Sequence, residues 1–105
     1  MIRFDGQVAI VTGSGRGLGA AYARMLAERG ACVVVHDAGV ALDGTGFDSH
    51  VADAIVHEIT TAGGTAVSCY ENLESQEGCQ RLIELALSQF GRLDILINNA
   101  GWITF

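Results

Sequence analysis

The run Thr12-Gly13-Ser14-Gly15-Arg16-Gly17-Leu18-Gly19 carries a glycine at every second position from Gly13 to Gly19. Glycines admit positive φ and let the backbone approach a ligand closely. If a helix begins within the run, its unpaired N–H groups and partial positive charge face whatever lies beyond, which suits a dianionic pyrophosphate. Asp37 follows at the spacing, about 20 residues past the glycines, at which a carboxylate can accept both ribose hydroxyls of an adenosine. A third polar cluster, Asn98-Asn99-Ala100-Gly101, ends the apolar run before it. Together these groups describe a nucleotide site built from backbone amides and one acid.

Such a site needs elements that bring three distant segments together, and the hydrophobic pattern supplies them. Gln7 to Thr12 is apolar and β-branched, as expected of a buried parallel strand. From Gly17 to Arg29, Leu18, Ala21, Tyr22, Met25 and Leu26 recur at helical spacing, with Gly30 as the stop. Cys32 to His36 is a second strand ending at Asp37. The Gly- and Asp-rich stretch from Ala38 to Ser49 is longer than the usual connection of about 2 to 6 residues, and it reads as an insertion or mobile loop. Val51, Ala52, Ile55, Val56 and Ile59 mark a second helix, with Asp48 or Ser49 as N-cap and Gly63-Gly64 as stop.

Thr65 to Tyr70 makes a third strand, interrupted by Ser68. Leu82, Ile83, Ala86, Leu87 and Phe90 mark a third helical face, with Ser75 as its cap and Gly91 as its stop. Asp94 to Ile97 is a fourth strand leading into the asparagines. Alternating strands and helices, joined by connections too long for hairpins, specify an α/β fold: a Rossmann-like parallel sheet with helices on both faces. Right-handed crossovers give strand order 3-2-1-4 and place the first and fourth strands at the topological switch point, where ligands bind. The whole of residues 1 to 105 is expected to form one partial dinucleotide-binding domain.

Composition excludes several alternatives. Twelve acids against six bases give a formal charge of -6, with the arginines scattered, which disfavours nucleic acid and anionic membrane as partners. No apolar run reaches the roughly 18 residues that would span a bilayer, and the N-terminus lacks a signal-peptide pattern, so a soluble, cytoplasmic location is expected. Cys32, Cys69 and Cys79 form no Cys-x-x-Cys pair and are expected to be small buried residues. His36, His50 and His57 lack the companions of a metal site and are assigned structural or surface roles. There is no lysine, which removes a Walker-type phosphate loop and Schiff-base chemistry.

Thr12-Gly13-x-x-x-Gly17-x-Gly19, Asp37, Gly91-Arg92-Leu93-Asp94 and Asn98-Asn99-Ala100-Gly101 together resemble the short-chain dehydrogenase/reductases over essentially the whole chain. Within that family, Arg3-Phe4-Asp5-Gly6 and the long Gly/Asp loop look like the 3-hydroxyacyl-CoA dehydrogenase units of peroxisomal-type multifunctional enzymes and their bacterial relatives.

The resemblance implies a cofactor site residue by residue. Gly13, Ser14, Gly15, Arg16, Gly17, Leu18 and Gly19 would embrace the pyrophosphate, with the Leu18 backbone donating, and Asp37 would hold the adenosine ribose. Asn72 and Leu73 would lie beside adenine, Asn72 standing where the family usually has an acid. Asn99, Ala100 and Gly101 would line the ribose toward the nicotinamide, while Asn98 ties strands together. Asp37 would repel a 2′-phosphate and favours NAD over NADP, although Arg16 could pair with such a phosphate.

The family's redox function implies hydride transfer between nicotinamide and an alcohol or ketone, a hydroxyacyl substrate included. Its catalytic serine, tyrosine and lysine lie beyond the fourth strand, and without lysine neither Tyr22 nor Tyr70 can belong to a Tyr-x-x-x-Lys pair. No catalytic residue and no metal ligand is therefore assigned. The chain is expected to be truncated after the fourth strand, inactive alone, and either a homo-oligomer or the companion of a missing C-terminal half, because a bare apolar strand invites pairing. The alternatives are a non-catalytic NAD-binding module or partner subunit, and an S-adenosylmethionine-binding methyltransferase-like fold, for which the asparagine cluster has no use.

Overall fold

A computed structural model describes residues 2–14, 17–37 and 50–99, except for the side chain of His50. The elements alternate as β1 (Val8–Val11), α1 (Gly17–Glu28), β2 (Cys32–His36), α2 (His50–Thr61), β3 (Thr65–Cys69), α3 (Gln76–Phe90) and β4 (Ile95–Ile97). The four strands form one sheet in the order β3-β2-β1-β4. Every pairing is parallel, with Val8 opposite Cys32, Ala9 opposite Ile95 and Cys32 opposite Thr65. The α/β architecture and strand order thus match the sequence pattern.

Alternation along the strands divides the core. Ala9, Val11, Val33, Val35 and Ala66 face α1 and α2, where they meet Ala20, Ala23, Leu26, Ala52, Ile55 and Ile59. Val8, Ile10 and Val34 face the other way, against Leu73, Leu82 and Ala86. Both faces of β1 and β2 are covered, which is why these strands read as continuous apolar runs. The alanines of α1 let that helix lie close to the sheet, and each fully buried Val or Ile contributes about 1.5–3 kcal/mol.

The boundaries shift in instructive places. Gln7 and Thr12 fall outside β1, and Asp94 falls outside β4, because its carboxylate accepts the Val8 N–H at 2.8 Å while its own N–H donates to Val8 O at 2.9 Å. Ser68 interrupts the apolar pattern of β3 because its hydroxyl donates to Asp53 on α2 at 2.8 Å. Helix α3 starts and stops as its sequence suggests: Ser75 accepts from the Gly78 N–H, and Gly91 is left-handed with φ 78°. The proposed α2 caps, Asp48 and Ser49, and the Ala38–Ser49 stretch lie outside the described residues.

Of the cysteines, only Cys69 is fully buried; Cys32 and Cys79 are half-buried, and all three are free thiols. Among the described residues no helix is long and apolar enough to cross a membrane.

Candidate functional site

The site residues gather at the carboxyl ends of the strands. Thr12, buried just past β1, donates its backbone N–H to Ile97 O at 3.0 Å and accepts the Asn99 N–H on Oγ1 at 2.9 Å. The same hydroxyl lies 3.2 Å from Asn98 Oδ1, so Asn98 does bind neighbouring strands together. Gly13 turns with φ 62°, and its carbonyl accepts the Asn99 side-chain N–H at 3.4 Å. A Cβ on Gly19 would stand 2.3 Å from Gly13 O and 2.6 Å from Asn99 Nδ2. The early glycines and late asparagines therefore share one lip of the molecule.

Ser14 is fully buried and turned inward: its N–H and its hydroxyl both donate to His36 O, at 2.7 and 3.2 Å. Gly17 opens α1, with nothing within 4 Å of a Cβ built there, and Leu18 is 60% exposed at the helix start. The first turn of α1 carries no acid. No carboxylate of the helix's own first turn competes for its N–H groups, a donor set that fits an anionic phosphate. Gly15, Arg16, Ala100 and Gly101 lie outside the described residues.

Asp37 leaves β2 half-buried, its N–H donating to Cys69 O at 3.0 Å. Beyond β3, Asn72 is half-buried, with Oδ1 accepting the Glu74 N–H at 2.9 Å, and its NH2 is the donor of that side chain. Leu73 is buried and belongs to the α3-side core. The order glycine loop, Asp37, Asn72 follows the sheet from β1 across β2 to the end of β3.

His36 is the member that residue patterns overlooked. It is buried, with Nδ1 3.3 Å from the Gly13 N–H and Nε2 2.8 Å from Glu71 O. A carbonyl only accepts and an amide N–H only donates, so the ring is neutral with its proton on Nε2. Burial holds the imidazole below its ordinary pKa, outweighing the Glu71 hydrogen bond and the Asp37 and Glu71 charges that pull it upward. The available signal was a polar side chain closing the otherwise apolar CVVVH strand. Burial likewise pushes the Cys69 thiol up.

Other chemistry is thinly represented. Among the described residues no group of three His, Cys, Asp or Glu side chains could hold a metal. A cleft of about 370 Å³ lies at the opposite end of the sheet, near Thr65 and Gly63, and its Arg24 and Glu58 already pair at 2.7 Å. The assembled polar groups lie instead at the strand-end lip.

Residues 7–105 match the family model described as short chain dehydrogenase. The chain is 51% identical over 95% of its length to a peroxisomal hydratase-dehydrogenase-epimerase of Neurospora crassa, of which it spans 11%. It superposes on a short chain dehydrogenase from Mycobacterium avium with a TM-score of 0.83 and 46% identity, covering 95% of this chain and 36% of that one. It is also similar to a 7α-hydroxysteroid dehydrogenase complexed with NADH and 7-oxo glycochenodeoxycholic acid, with a TM-score of 0.79, 36% identity, and coverage of 90% and 33% respectively. The chain therefore belongs to the short-chain dehydrogenase family, with a resemblance to the dehydrogenase units of peroxisomal multifunctional enzymes.

Proposed function

We propose that these residues form the NAD-binding part of an oxidoreductase acting on an alcohol or ketone, hydroxyacyl substrates included. The observation that carries the reading is the contact of Gly13, Gly19 and Asn99, which sets an acid-free helix start beside the asparagines that follow β4, with Asp37 one strand away. The segment from Gly13 to Gly19 holds the pyrophosphate, with the Leu18 N–H donating to it, Asp37 holds the adenosine ribose, and Asn99, Ala100 and Gly101 hold the ribose on the nicotinamide side. Asn72 and Leu73 border adenine. When bound, the nicotinamide supplies a hydride acceptor or donor; the residues here bind and orient it. The NADH named in the hydroxysteroid dehydrogenase structure supports the cofactor class.

Asp37 favours NAD, since its carboxylate accepts from two ribose hydroxyls and repels a 2′-phosphate. Arg16 is the residue that could soften this preference. With no lysine, these residues contain no Tyr-x-x-x-Lys pair and turn over nothing by themselves. For partners we propose a second copy or a catalytic segment at the β4 edge, where Leu96 is 58% exposed; sedimentation of the chain as a strict monomer would refute self-association. We propose a cytoplasmic location, to be tested by fractionation against the peroxisomal site carried in the Neurospora relative's name.

The test is calorimetric titration with NADH and NADPH. NADH is expected to bind more tightly, and Asp37→Ala to weaken it at least about tenfold, the scale of one lost hydrogen bond to a charged acceptor. Failure of both nucleotides to bind at millimolar concentration refutes the reading.

A further inference from the structure

The contacts of His36 go beyond filling the core. Its carbonyl takes both donors of Ser14, one ring nitrogen meets the Gly13 N–H and the other holds Glu71 O. One residue thereby links the glycine loop after β1 with the segment after β3, the two walls between which an adenosine would lie. This link rests on the nucleotide-site reading above, and it adds a role for a residue that makes no contact of its own with a ligand.

We propose that His36 is a positioning residue for the nucleotide site: the bare Nδ1 of its neutral imidazole orients the Gly13 N–H and sets the entry to the glycine loop. Gly13 has a left-handed φ of 62°, a conformation with little intrinsic preference over its alternatives in glycine. The Gly13 N–H is half-buried, where an amide left without an acceptor is costly, so an acceptor standing opposite favours this turn over the alternatives. Because the Ser14 contacts use the His36 backbone, a side-chain substitution removes the Gly13 contact and leaves those in place.

Asn and Gln separate the two ring nitrogens. In His36→Asn the amide oxygen can occupy the Nδ1 position and accept from Gly13; in His36→Gln the amide nitrogen can occupy the Nε2 position and donate to Glu71 O, while Gly13 loses its acceptor. With NADH as the probe, His36→Asn is expected to bind within about threefold of wild type and His36→Gln about tenfold more weakly, the scale of one hydrogen bond. Hydrogen exchange at the Gly13 amide, measured without nucleotide, is expected to accelerate in His36→Gln and not in His36→Asn.

Equal effects of the two substitutions on both readouts would overturn the proposal. If wild type binds no NADH, the nucleotide reading falls and the positioning role with it, although the exchange measurement would still report the Gly13 brace separately. If both variants fail to fold, nitrogen NMR of the wild-type ring decides: a proton on Nε2 with Nδ1 bare is expected, and a proton on Nδ1 overturns the proposal.

Discussion

Gly19 and Asn99 approach so closely that no side chain fits between them: a Cβ at Gly19 would lie 2.6 Å from Asn99 Nδ2. The second obstacle, Gly13 O at 2.3 Å, is backbone and cannot swing aside. Residues 80 positions apart in the chain thus form one surface, and glycine at the first is the condition for it.

Gly19→Ala should therefore force α1 away from the β1 exit. The expected loss is about 1–3 kcal/mol, the range for overpacking, together with loss of NADH binding. Urea denaturation and calorimetry check both; a variant with wild-type midpoint and affinity would show that the lip is not packed this way.

Thr12 joins the two strands that flank the site through one hydroxyl, which accepts from the Asn99 N–H and lies beside Asn98 Oδ1. Thr12→Val keeps the volume but leaves that N–H without this acceptor, an expected cost of about 1–3 kcal/mol. Thr12→Ser keeps the hydroxyl and should lose less. Thermal melts of the pair check the order, and a Ser variant less stable than Val would contradict the hydrogen-bonding account.

His36 ties stability to pH. Its folded pKa is depressed by burial, so the unfolded chain takes up a proton first as pH falls. The stabilisation is fully present above the unfolded value near 6.5 and is lost as pH falls through that value toward the folded one, with a slope of at most about 1.4 kcal/mol per pH unit for one proton. Facing groups Asp37 and Glu71 oppose the shift but do not reverse it. The carboxylates of Asp5, Glu58 and Asp94 are held low by their arginine partners, so their contribution disappears only at more acidic pH. Denaturation between pH 7.5 and 5.5 should show the slope in wild type and its flattening in His36→Asn.

Ser75 caps α3 by accepting the Gly78 N–H at 2.9 Å. Ser75→Ala should cost about 1 kcal/mol, while Ser75→Asp retains the acceptor and adds a favourable charge at the helix start. Equal midpoints for the Ala and Asp variants would deny the cap its role.

Apolar runs, glycine stops and the Ser75 cap made the element order legible, because local periodicity and capping act over a few residues. The 3-2-1-4 order was also accessible, since the handedness of parallel crossovers leaves few arrangements. Gly13, Asp37 and Asn99 could be nominated from residue type and from the family resemblance. What no linear pattern contains is direction: Ser14 turns inward to His36, Asn72 spends its oxygen on Glu74, and Leu73 belongs to the core. The neutral Nε2-protonated state of His36 is likewise a tertiary result, because Gly13 and Glu71 reach the ring from the segments that follow two different strands. Hydrogen-bond partners and burial depend on which segments meet across the sheet, whereas periodicity depends only on neighbours along the chain.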